Sequence, residues 1–327
     1  MEVMALQAGR GPLTWAERPD PTPGPGDLLL QVEACAVCRT DLQICRGDLA
    51  ARTLPLVPGH QIVGRVLAVG EGGDPSLLGR RRGVGWLATS CGSCQSCQRG
   101  QENLCARATF TGWDRDGGFA SRALARADFT LELPQAADPV ALAPLLCGGV
   151  IGYRAFRLTG AKSGDHLGLY GFGASALLVN QVAKARGCEV AVVTRDQQAQ
   201  ERARAAGVAW VGGLGDSPPW PLQAAITFAP VGSVVVDALR ALDRGGICVV
   251  NAIHLDEMPA FPYELLYWER RLQSVANFTR QDASEFLQAV DEVGIQTQVE
   301  RFPLAQADMV LGELESDHIP GAAVLIP

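Results

Sequence analysis

The stretch Leu167-Gly-Leu-Tyr-Gly171-Phe-Gly173-Ala-Ser-Ala176 joins a short apolar run to a segment with helical spacing. It matches the pattern G-x-G-x-x-A of dinucleotide-binding turns. In that pattern the first glycine permits a tight turn, the second admits a pyrophosphate close to the backbone, and the small third residue lets the helix lie against the strand. The amino terminus of the helix then faces the anion. A plain glycine-rich turn that binds no dinucleotide is the alternative, and the segments that flank the turn help to distinguish the two.

The segments on either side of this turn favour a dinucleotide loop. Short apolar runs alternate with helical patterns, which is typical of a parallel sheet with helices on both faces. We therefore expect a Rossmann domain, a doubly wound parallel sheet of the α/β class, over residues 149–277. Its predicted strands are 167–170, 189–194, 225–228 and 247–250, and its predicted helices end at 186 or span 197–206 and 233–242.

The residues that end the second of these strands bear on the choice of nucleotide. An NAD site usually has Asp or Glu there to bind the ribose 2′-hydroxyl. This chain has Thr194 and Arg195, and a hydroxyl and an arginine suit a 2′-phosphate better. The sequence therefore favours NADP(H). NAD(H) remains an alternative, with Asp196 or a water at the ribose.

The first 126 residues differ from this pattern. Apolar runs bounded by glycine and proline, with few helical patterns, predict an antiparallel or mixed β domain. The segments after residue 278 are too few to form a domain of their own, so we expect them to return to the first one. The predicted β domain therefore comprises residues 1–148 and 278–327, split by the Rossmann domain.

The composition argues against a nucleic-acid partner, because the net charge is −7 and phosphate binding needs clustered Lys and Arg. The stretch 166–183 lacks charged residues but contains several glycines and changes period, which makes it a poor membrane span. The first residues show no basic segment followed by an apolar run. We expect a cytoplasmic protein that binds neither nucleic acid nor membrane.

Four cysteines lie close together in the β domain, at Cys91, Cys94, Cys97 and Cys105. Four thiolates at this density can surround one tetrahedral Zn²⁺. An iron–sulfur cluster is the alternative, but the common bacterial pattern has its fourth cysteine sooner and follows it with proline, whereas Ala106 follows here. Unliganded surface thiols are a second alternative. We expect a structural zinc in a lobe of about residues 88–108, without an open coordination position.

Several dispersed segments together resemble the zinc-dependent medium-chain alcohol dehydrogenase family. The resemblance covers essentially the whole chain, and the order and spacing of the segments match the family. These segments are Cys38-Arg-Thr-Asp41, Pro58-Gly-His60, the Cys91 to Cys105 lobe, Gly117-Gly-Phe-Ala, Ala143-Pro-Leu-Leu-Cys147 and the Gly171 turn.

The resemblance implies a GroES-like β domain around an inserted Rossmann domain, with substrate in the cleft between them. It implies a catalytic zinc, the second of two per chain, held by Cys38, His60 and Cys147. It also implies that Thr40 begins a proton relay. The cofactor-binding residues expected from the turn, the strand end and the family pattern are Arg39, Gly171, Gly173, Ala176, Thr194, Arg195, Ala252 and Ile253.

The activity implied is reversible hydride transfer between an alcohol and NAD(P)⁺, giving an aldehyde or a ketone, in a homo-oligomer that is a dimer or a tetramer. Pocket walls by position are Trp86, Phe110, Trp113 and Ile253, which favours a medium aliphatic or aromatic alcohol. A zinc-free enoyl or quinone reductase of the same fold is one alternative, and the metal-ligand trio counts against it. A non-catalytic zinc-binding redox protein is another, and the dinucleotide turn counts against that.

Two residues depart from the family pattern. Gln61 stands where a glutamate commonly follows the ligand histidine, and Gln43 stands where many members carry the last histidine of the relay. Glutamine does not titrate in the working range of the enzyme. We therefore expect the proton to leave through Thr40, the cofactor ribose and water.

Overall fold

The chain forms two compact units in a computed structural model that describes residues 1–252, 255–316 and 318–327. The first unit comprises Met1–Cys147, Asn277–Leu287 and Gln296–Pro327, and the second comprises Gly148–Ala276 and Gln288–Ile295. The segment Gln288–Ile295 was expected in the β domain. It groups with the second unit because one helix, Arg280–Val293, supplies residues to both.

The first unit is built mainly from strands. Its strands before residue 147 are β1 (Glu2–Leu6), β2 (Leu13–Glu17), β3 (Asp27–Ala36), β4 (Gln61–Val69), β5 (Arg81–Val84), β6 (Leu87–Thr89), β7 (Thr109–Phe110), β8 (Arg122–Arg126) and β9 (Thr130–Glu132). Its helices there are α1 (Arg39–Arg46), α2 (Gln95–Gln98) and α3 (Pro139–Leu142).

The second unit alternates strands and helices. Its strands are β10 (His166–Tyr170), β11 (Glu189–Val193), β12 (Trp210–Gly212), β13 (Leu222–Thr227), β14 (Leu242–Val250) and β15 (Arg271–Ser274). Its helices are α4 (Gly148–Thr159), α5 (Ala174–Ala185), α6 (Gln197–Ala205), α7 (Gly232–Ala241) and α8 (Glu264–Tyr267). The chain then continues through α9 (Arg280–Val293), β16 (Val299–Pro303), α10 (Ala307–Glu315) and β17 (Ala322–Ile326).

The seven-stranded sheet of the first unit is mixed and is centred on β3, and β1 with β2 and β6 with β7 form two further, two-stranded sheets. The order of the seven-stranded sheet is β16-β17-β3-β4-β5-β9, and β8 also pairs with β3. Only β16 and β17 run parallel, and the other described pairs are antiparallel. Leu28, Leu30 and Val32 alternate along β3 and are buried, as expected for a strand with one face on a core. The return of β17 to this sheet agrees with the expectation for the carboxyl-terminal segments.

Close backbone packing determines the position of the segment that leads into β4. Gly59 has φ +96°, a conformation that favours glycine, and a Cβ at Gly117 would overlap the Gly59 carbonyl oxygen. The approach is secured by hydrogen bonds from Gly118 N to Gly59 O at 2.8 Å and from Phe119 N to Pro58 O at 2.9 Å. The next residue after Gly59 is therefore held firmly at the start of β4.

The sheet of the second unit is parallel, with the order β12-β11-β10-β13-β14-β15. The crossover helices α5, α6 and α7 connect its strands, so the predicted doubly wound α/β fold is confirmed. The helix α4 was missing from the prediction. It contains several glycines and a buried arginine, and these residues interrupt the helical spacing of apolar residues by which a helix is recognised in a sequence.

Among the described residues, no single helix is long and apolar enough to cross a membrane. Pro139–Leu146 and Gly148–Thr159 reach the required length and apolarity only when taken together as a bent pair.

A buried ion pair stabilises the first unit close to α3. The Arg81 side chain is only 6% exposed, and its guanidinium donates to the Glu33 carboxylate at 2.6 and 3.2 Å. It also donates to the carbonyl oxygens of Pro134, Gln135 and Ala137. Burial opposes ionisation of Glu33, but the hydrogen bonds and charge of Arg81 outweigh it and lower the pKa of Glu33. Arg81 thus anchors the segment that continues into α3.

We predict that Arg81→Gln lowers the free energy of unfolding by about 1.5–3 kcal/mol at pH 7, because the Glu33 carboxylate loses its buried partner and keeps only the partly exposed Arg65, at 2.9 Å. The matched control is Arg80→Gln, since Arg80 pairs with Glu132 at the surface, where a pair contributes at most about 1 kcal/mol. Denaturant unfolding of both variants provides the measurement. The difference between wild type and Arg81→Gln should shrink as the pH falls through the lowered pKa of Glu33, and equal losses in the two variants would contradict the assignment.

Candidate functional site

The turn from Cys38 to Asp41 starts helix α1 with reciprocal capping bonds. Cys38 is the N-cap residue, and its Sγ accepts a hydrogen bond from Thr40 N at 3.4 Å. Asp41 lies three residues later, and its Oδ2 accepts from Cys38 N at 2.9 Å. This is the geometry of a capping box, with sulfur in place of the usual hydroxyl oxygen. The cap holds the Cys38 sulfur at the amino terminus of the helix.

The other oxygen of Asp41 reaches the segment before β4. Asp41 Oδ1 accepts from Gly59 N at 3.1 Å and lies 3.1 Å from His60 Nδ1. Both side chains are buried, with exposures of 0% for Asp41 and 1% for His60. With Nδ1–H donating to the carboxylate, the Nε2 lone pair is available for a metal, and Nε2 lies 3.4 Å from Cys38 Sγ.

Cys147 brings a third ligand atom to this place, directly after the 3₁₀ turn Ala143–Leu146. The ligand atoms of Cys38, His60 and Cys147 all lie within 4.8 Å of one another. Tetrahedral zinc with ordinary bond lengths would separate a sulfur and a nitrogen ligand by roughly 3.6 Å. The spacing between Cys38 Sγ and His60 Nε2 fits that separation, and three protein ligands leave one position open.

The charges in the trio favour a thiolate at Cys38. A hydrogen bond from Cys147 and the charge of His60 lower the pKa of Cys38 well below its usual range, against the effect of burial. Burial also opposes a charged ring at His60, but the carboxylate of Asp41 outweighs it and raises the pKa of His60. The hydrogen bond to Cys38, together with burial, raises the pKa of Cys147. A metal ion bound here would therefore meet one thiolate, at Cys38, and would displace a proton from each of the other two ligands.

The four cysteines of the predicted zinc lobe also meet. Their Sγ atoms all lie within 4.8 Å of one another, with 3.9 Å between those of Cys91 and Cys97 and 3.5 Å between those of Cys94 and Cys97. Tetrahedral zinc would place its thiolates roughly 3.8 Å apart. The backbone amide of Cys94 donates to Cys91 Sγ, and the amides of Cys91 and Arg107 donate to Cys105 Sγ. The donor set and spacing fit one zinc ion without an open position.

The turn after β10 has the backbone that an anion site needs. Gly171 has φ +95°, and its amide donates to Val193 O at 2.8 Å. Gly173 is the N-cap of the twelve-residue helix α5, and a Cβ there would meet nothing within 4 Å. Ala176 is fully buried, as expected for the residue that lets helix and strand approach. The space at Gly173 and the amino terminus of α5 therefore fit a pyrophosphate.

At the end of β11 the structure separates the roles of Thr194, Arg195 and Asp196. Thr194 is buried, and its backbone bonds to Gly212 O and Gln200 Nε2. Asp196 is the N-cap of α6, since its Oδ1 accepts from Gln198 N at 2.9 Å. Arg195 is exposed. The carboxylate that would serve an NAD ribose thus already caps a helix.

The end of β14 contributes a polar group to the same edge of the sheet. Asn251 N donates to Thr227 O at 2.8 Å, and Asn251 Oδ1 is buried without a hydrogen-bond partner in the part of the chain that the structure describes. Such a buried acceptor fits an amide group of a ligand. Ala252 follows and is half-buried. The predicted contact residue Ile253 lies outside the described residues.

The comparisons with known proteins bear directly on this arrangement. Residues 24–135 match the family model described as "Alcohol dehydrogenase GroES-like domain". The protein named "Probable alcohol dehydrogenase AdhA" from Mycobacterium tuberculosis is 45% identical over 322 residues, which cover 97% of this chain and 93% of that protein. The chain belongs to the zinc-type medium-chain alcohol dehydrogenase family. The predicted GroES-like domain is thereby confirmed.

Two solved structures, of a reductase and of a zinc-binding dehydrogenase, match over the whole length of this chain. Acetophenone reductase from Geotrichum candidum, in complex with NAD, is 26% identical with a TM-score of 0.89, and the match covers 100% of this chain and 97% of that one. A dehydrogenase from Sinorhizobium meliloti, bound to NADP, is 26% identical with a TM-score of 0.88, and the match covers 100% and 99%.

An aromatic wall lies beside the metal-ligand trio of this family member. The Trp86 ring meets His60 edge-on at 5.0 Å and stacks on Phe110 at 5.2 Å and on Trp113 at 5.9 Å, measured between ring centroids. Trp113 is fixed by its Nε1 bond to Ala50 O and by the Arg52 guanidinium over its ring. Three of the four predicted wall residues therefore form one surface, all within the first unit.

The residue that the sequence interpretation missed is Asp41. It stands in the Cys38-Arg-Thr-Asp41 segment, but no role was assigned to it. Its position three residues after an N-cap is the spacing of a capping box, and this was a readable signal. Its second contact, with His60, depends on the tertiary fold and could not be read from local spacing.

We predict that Asp41→Asn lowers zinc affinity at the Cys38, His60 and Cys147 set by roughly 10- to 100-fold, because the histidine loses its orienting carboxylate. Competition with a chromophoric chelator measures the loss, and the zinc at the four-cysteine set should be retained. Asp74→Asn is the matched control, since Asp74 caps only an exposed 3₁₀ turn. Wild-type zinc retention in Asp41→Asn would contradict this role.

We predict that iodoacetamide labels Cys91 before Cys94 in zinc-free protein at pH 7. Backbone hydrogen bonds from Ser93 and Cys94 lower the pKa of Cys91 to about 5, so Cys91 is a thiolate. The Cys97 thiolate and burial raise the pKa of Cys94 to about 11, although a backbone hydrogen bond from Cys97 opposes them, so Cys94 stays protonated. Mass spectrometry of the peptides gives the order.

Two controls accompany the labelling. Zinc loading should protect both cysteines, and Cys248, whose pKa burial raises to about 12, should remain unlabelled in folded protein. The labelling rate of Cys91 should be flat from about pH 6 to 8, whereas that of Cys94 should rise with pH. Labelling of Cys94 ahead of Cys91 would contradict the assigned charge state.

Proposed function

We propose that this family member is a zinc-dependent alcohol dehydrogenase that transfers hydride reversibly between an alcohol and NAD(P)⁺. The observation that carries the proposal is the meeting of Cys38, His60 and Cys147 around one point, with His60 oriented by Asp41. The dinucleotide turn at Gly171 supplies the second requirement, a place for the cofactor pyrophosphate.

Cys38, His60 and Cys147 would hold the catalytic zinc. When bound, zinc supplies a Lewis acid for the substrate oxygen, and the dinucleotide accepts or donates the hydride. With two thiolates and one neutral imidazole as protein ligands, the zinc would have a coordination position available for that oxygen. Among the turn residues, Arg39 is exposed and suits the cofactor pyrophosphate.

Thr40 is proposed as the first group of the proton path. Its side chain is only 6% exposed, and it lies beside Cys38 at the amino terminus of α1. A hydroxyl both donates and accepts a hydrogen bond, so it can take a proton from the substrate oxygen and pass one on. In the next turn of α1, Gln43 Oε1 is buried and has no hydrogen-bond partner among the residues described.

The aromatic wall favours an apolar substrate with a ring. Trp86, Phe110 and Trp113 present stacked π surfaces next to the metal-ligand trio, and such surfaces prefer aromatic partners. Acetophenone reductase, the relative solved with NAD, is named for an aryl ketone. We therefore propose a medium-sized aromatic alcohol, or the corresponding aldehyde or ketone, ahead of aliphatic ones.

NADP(H) is the proposed cofactor preference, with NAD(H) as the alternative. Asp196 caps α6, whereas Arg195 is exposed at the carboxyl end of β11, where a 2′-phosphate would lie. The four-cysteine set is proposed to hold a second, structural zinc, giving two per chain. A cytoplasmic location and a homo-oligomeric state, dimer or tetramer, complete the proposal.

We predict oxidation of aromatic primary or secondary alcohols, with a higher kcat/KM for NADP⁺ than for NAD⁺. The measurement is a panel of alcohols and aldehydes with each dinucleotide, before and after treatment with a chelator. Chelation should remove activity, and zinc should restore it. Lack of activity with every substrate and dinucleotide would overturn the proposal, and activity that survives complete loss of zinc would favour the enoyl or quinone reductase alternative.

Variants at Thr40 and Arg195, measured in the same assay, test the proton path and the nucleotide preference separately. Thr40→Val should reduce kcat by roughly 10²- to 10⁴-fold, the range for loss of a general acid–base group, while Thr40→Ser should retain most of it. Arg195→Ser should lower the preference for NADP⁺ without changing kcat for NAD⁺. An unchanged nucleotide preference would remove Arg195 from the cofactor site.

A further inference from the structure

A cavity of about 540 Å³ lies in the second unit, away from the dinucleotide turn. It is lined at the amino ends of β13 and β14, where Leu222 pairs in register with Leu242. The Gly171 turn follows the carboxyl end of β10, which runs parallel to β13. The cavity therefore lies at the amino ends of the parallel strands, whereas the expected pyrophosphate position lies at their carboxyl ends. Its size is that of a small-molecule site.

Positive charge dominates the lining of this cavity. Three arginines line it, Arg240, Arg244 and Arg270, whereas Asp243 is the only acidic lining residue. Both carboxylate oxygens of Asp243 are already engaged, by Arg244 N at 2.8 Å and by Gln223 Nε2 at 3.4 Å. The Asp243 carboxylate thus accepts from one backbone amide and one side-chain amide, and a single carboxylate leaves most of the charge of the three arginines uncompensated.

The three guanidinium groups have few anionic partners in the protein. Arg270 donates to the carbonyl oxygens of Leu242, Asp243 and Leu265, which are neutral acceptors. Within the described residues, no carboxylate lies within 4.0 Å of the guanidinium nitrogens of Arg244 or Arg270. Arg240 pairs with Asp237 at the surface, where such a pair is weak. Guanidinium groups in this state are suited to a phosphate, which they can bind through two parallel hydrogen bonds.

Apart from Ser217, the remaining lining is apolar, and two of its aromatic rings are held in place by neighbouring side chains. Trp220 stacks on His166 with ring centroids 4.5 Å apart, and the Arg244 guanidinium lies 3.8 Å from the centroid of Trp268. Three prolines, at 218, 219 and 221, stiffen the segment that carries Trp220. Rigid aromatic and proline surfaces favour a flat apolar group beside the anion, because little side-chain entropy is lost on binding.

We propose that this cavity, the arginine cavity, binds an organic phosphate with a planar ring, such as a mononucleotide, at a site separate from the dinucleotide turn. Arg240, Arg244 and Arg270 contact the phosphate, and Trp220 and Trp268 contact the ring. This site is independent of the proposed hydride transfer, so the catalytic assignment can stand or fall without it.

The test titrates AMP into zinc-loaded full-length protein that has first been saturated with NADPH, and calorimetry follows the binding. Occupying the dinucleotide turn beforehand confines the measurement to other sites. Arg244→Gln and Arg240→Gln should each weaken AMP binding by about tenfold, the effect of losing one charge-assisted hydrogen bond. Arg186→Gln is the matched control, since Arg186 is an exposed arginine of the same unit outside the cavity lining. Equal melting temperatures would show that the variants are folded.

Adenosine and inorganic phosphate serve as partial ligands in the same titration. Each should bind more weakly than AMP if the cavity recognises both ring and phosphate. Absence of saturable AMP binding to the NADPH-saturated protein would overturn the proposal. So would equal weakening in Arg186→Gln, or AMP binding that NADPH abolishes. Inorganic phosphate that binds as tightly as AMP would overturn the assignment to a ring-bearing phosphate.

Discussion

The buried carboxylate of Asp41 is the constraint on which the metal-ligand trio depends. A carboxylate removed from water is costly unless hydrogen bonds satisfy it. Asp41 receives bonds from Cys38 N, Gly59 N and the His60 ring, which belong to two segments far apart in sequence. The requirement to satisfy one side chain therefore brings the start of α1 and the start of β4 together and sets the orientation of the imidazole.

The pairing of β3 with β4 places the start of α1 and the start of β4 next to each other, at the Asp41 carboxylate. Strands β3 and β4 pair antiparallel, and Ala36 lies opposite Gln61 at the end of the ladder. Cys38 therefore follows one strand at the place where His60 precedes the other. A one-residue slip in register would turn the adjoining side chains to the other face of the sheet. Gly59 and Gly117 hold the segment that precedes β4 in place, because a side chain at Gly117 would overlap the Gly59 carbonyl oxygen.

The parts of this architecture that could be predicted from the sequence are those with local signals. The Gly171 turn, its flanking strands and the four clustered cysteines each follow from spacing over a few residues, and the structure has them as predicted. The trio of Cys38, His60 and Cys147 has no local signal, and only resemblance to a family brought its members together. Three further features were not predicted from the sequence: the second contact of Asp41, the ion pair of Arg81 with Glu33, and the arginine cavity. Each joins residues that only the tertiary fold makes neighbours.

Gln61 is a residue for which the structure adds a reason that the sequence did not contain. Its side chain is buried, and its Nε2 donates to Ala36 O at 3.3 Å, across the register pair that ends the β3–β4 ladder. A glutamate would lack this donor and would bring a carboxylate oxygen towards a carbonyl oxygen.

Charge gives a second reason for an amide at position 61. With zinc bound in the trio, two thiolates and Asp41 would contribute three negative charges against the two positive charges of the metal, and a glutamate would add a fourth in a buried place. The neutral amide of Gln61 donates the hydrogen bond at the end of the β3–β4 ladder, and it adds no negative charge beside the metal-ligand trio. We infer that the departure at Gln61 is tied to the backbone geometry that places His60 as well as to the reactivity of the metal.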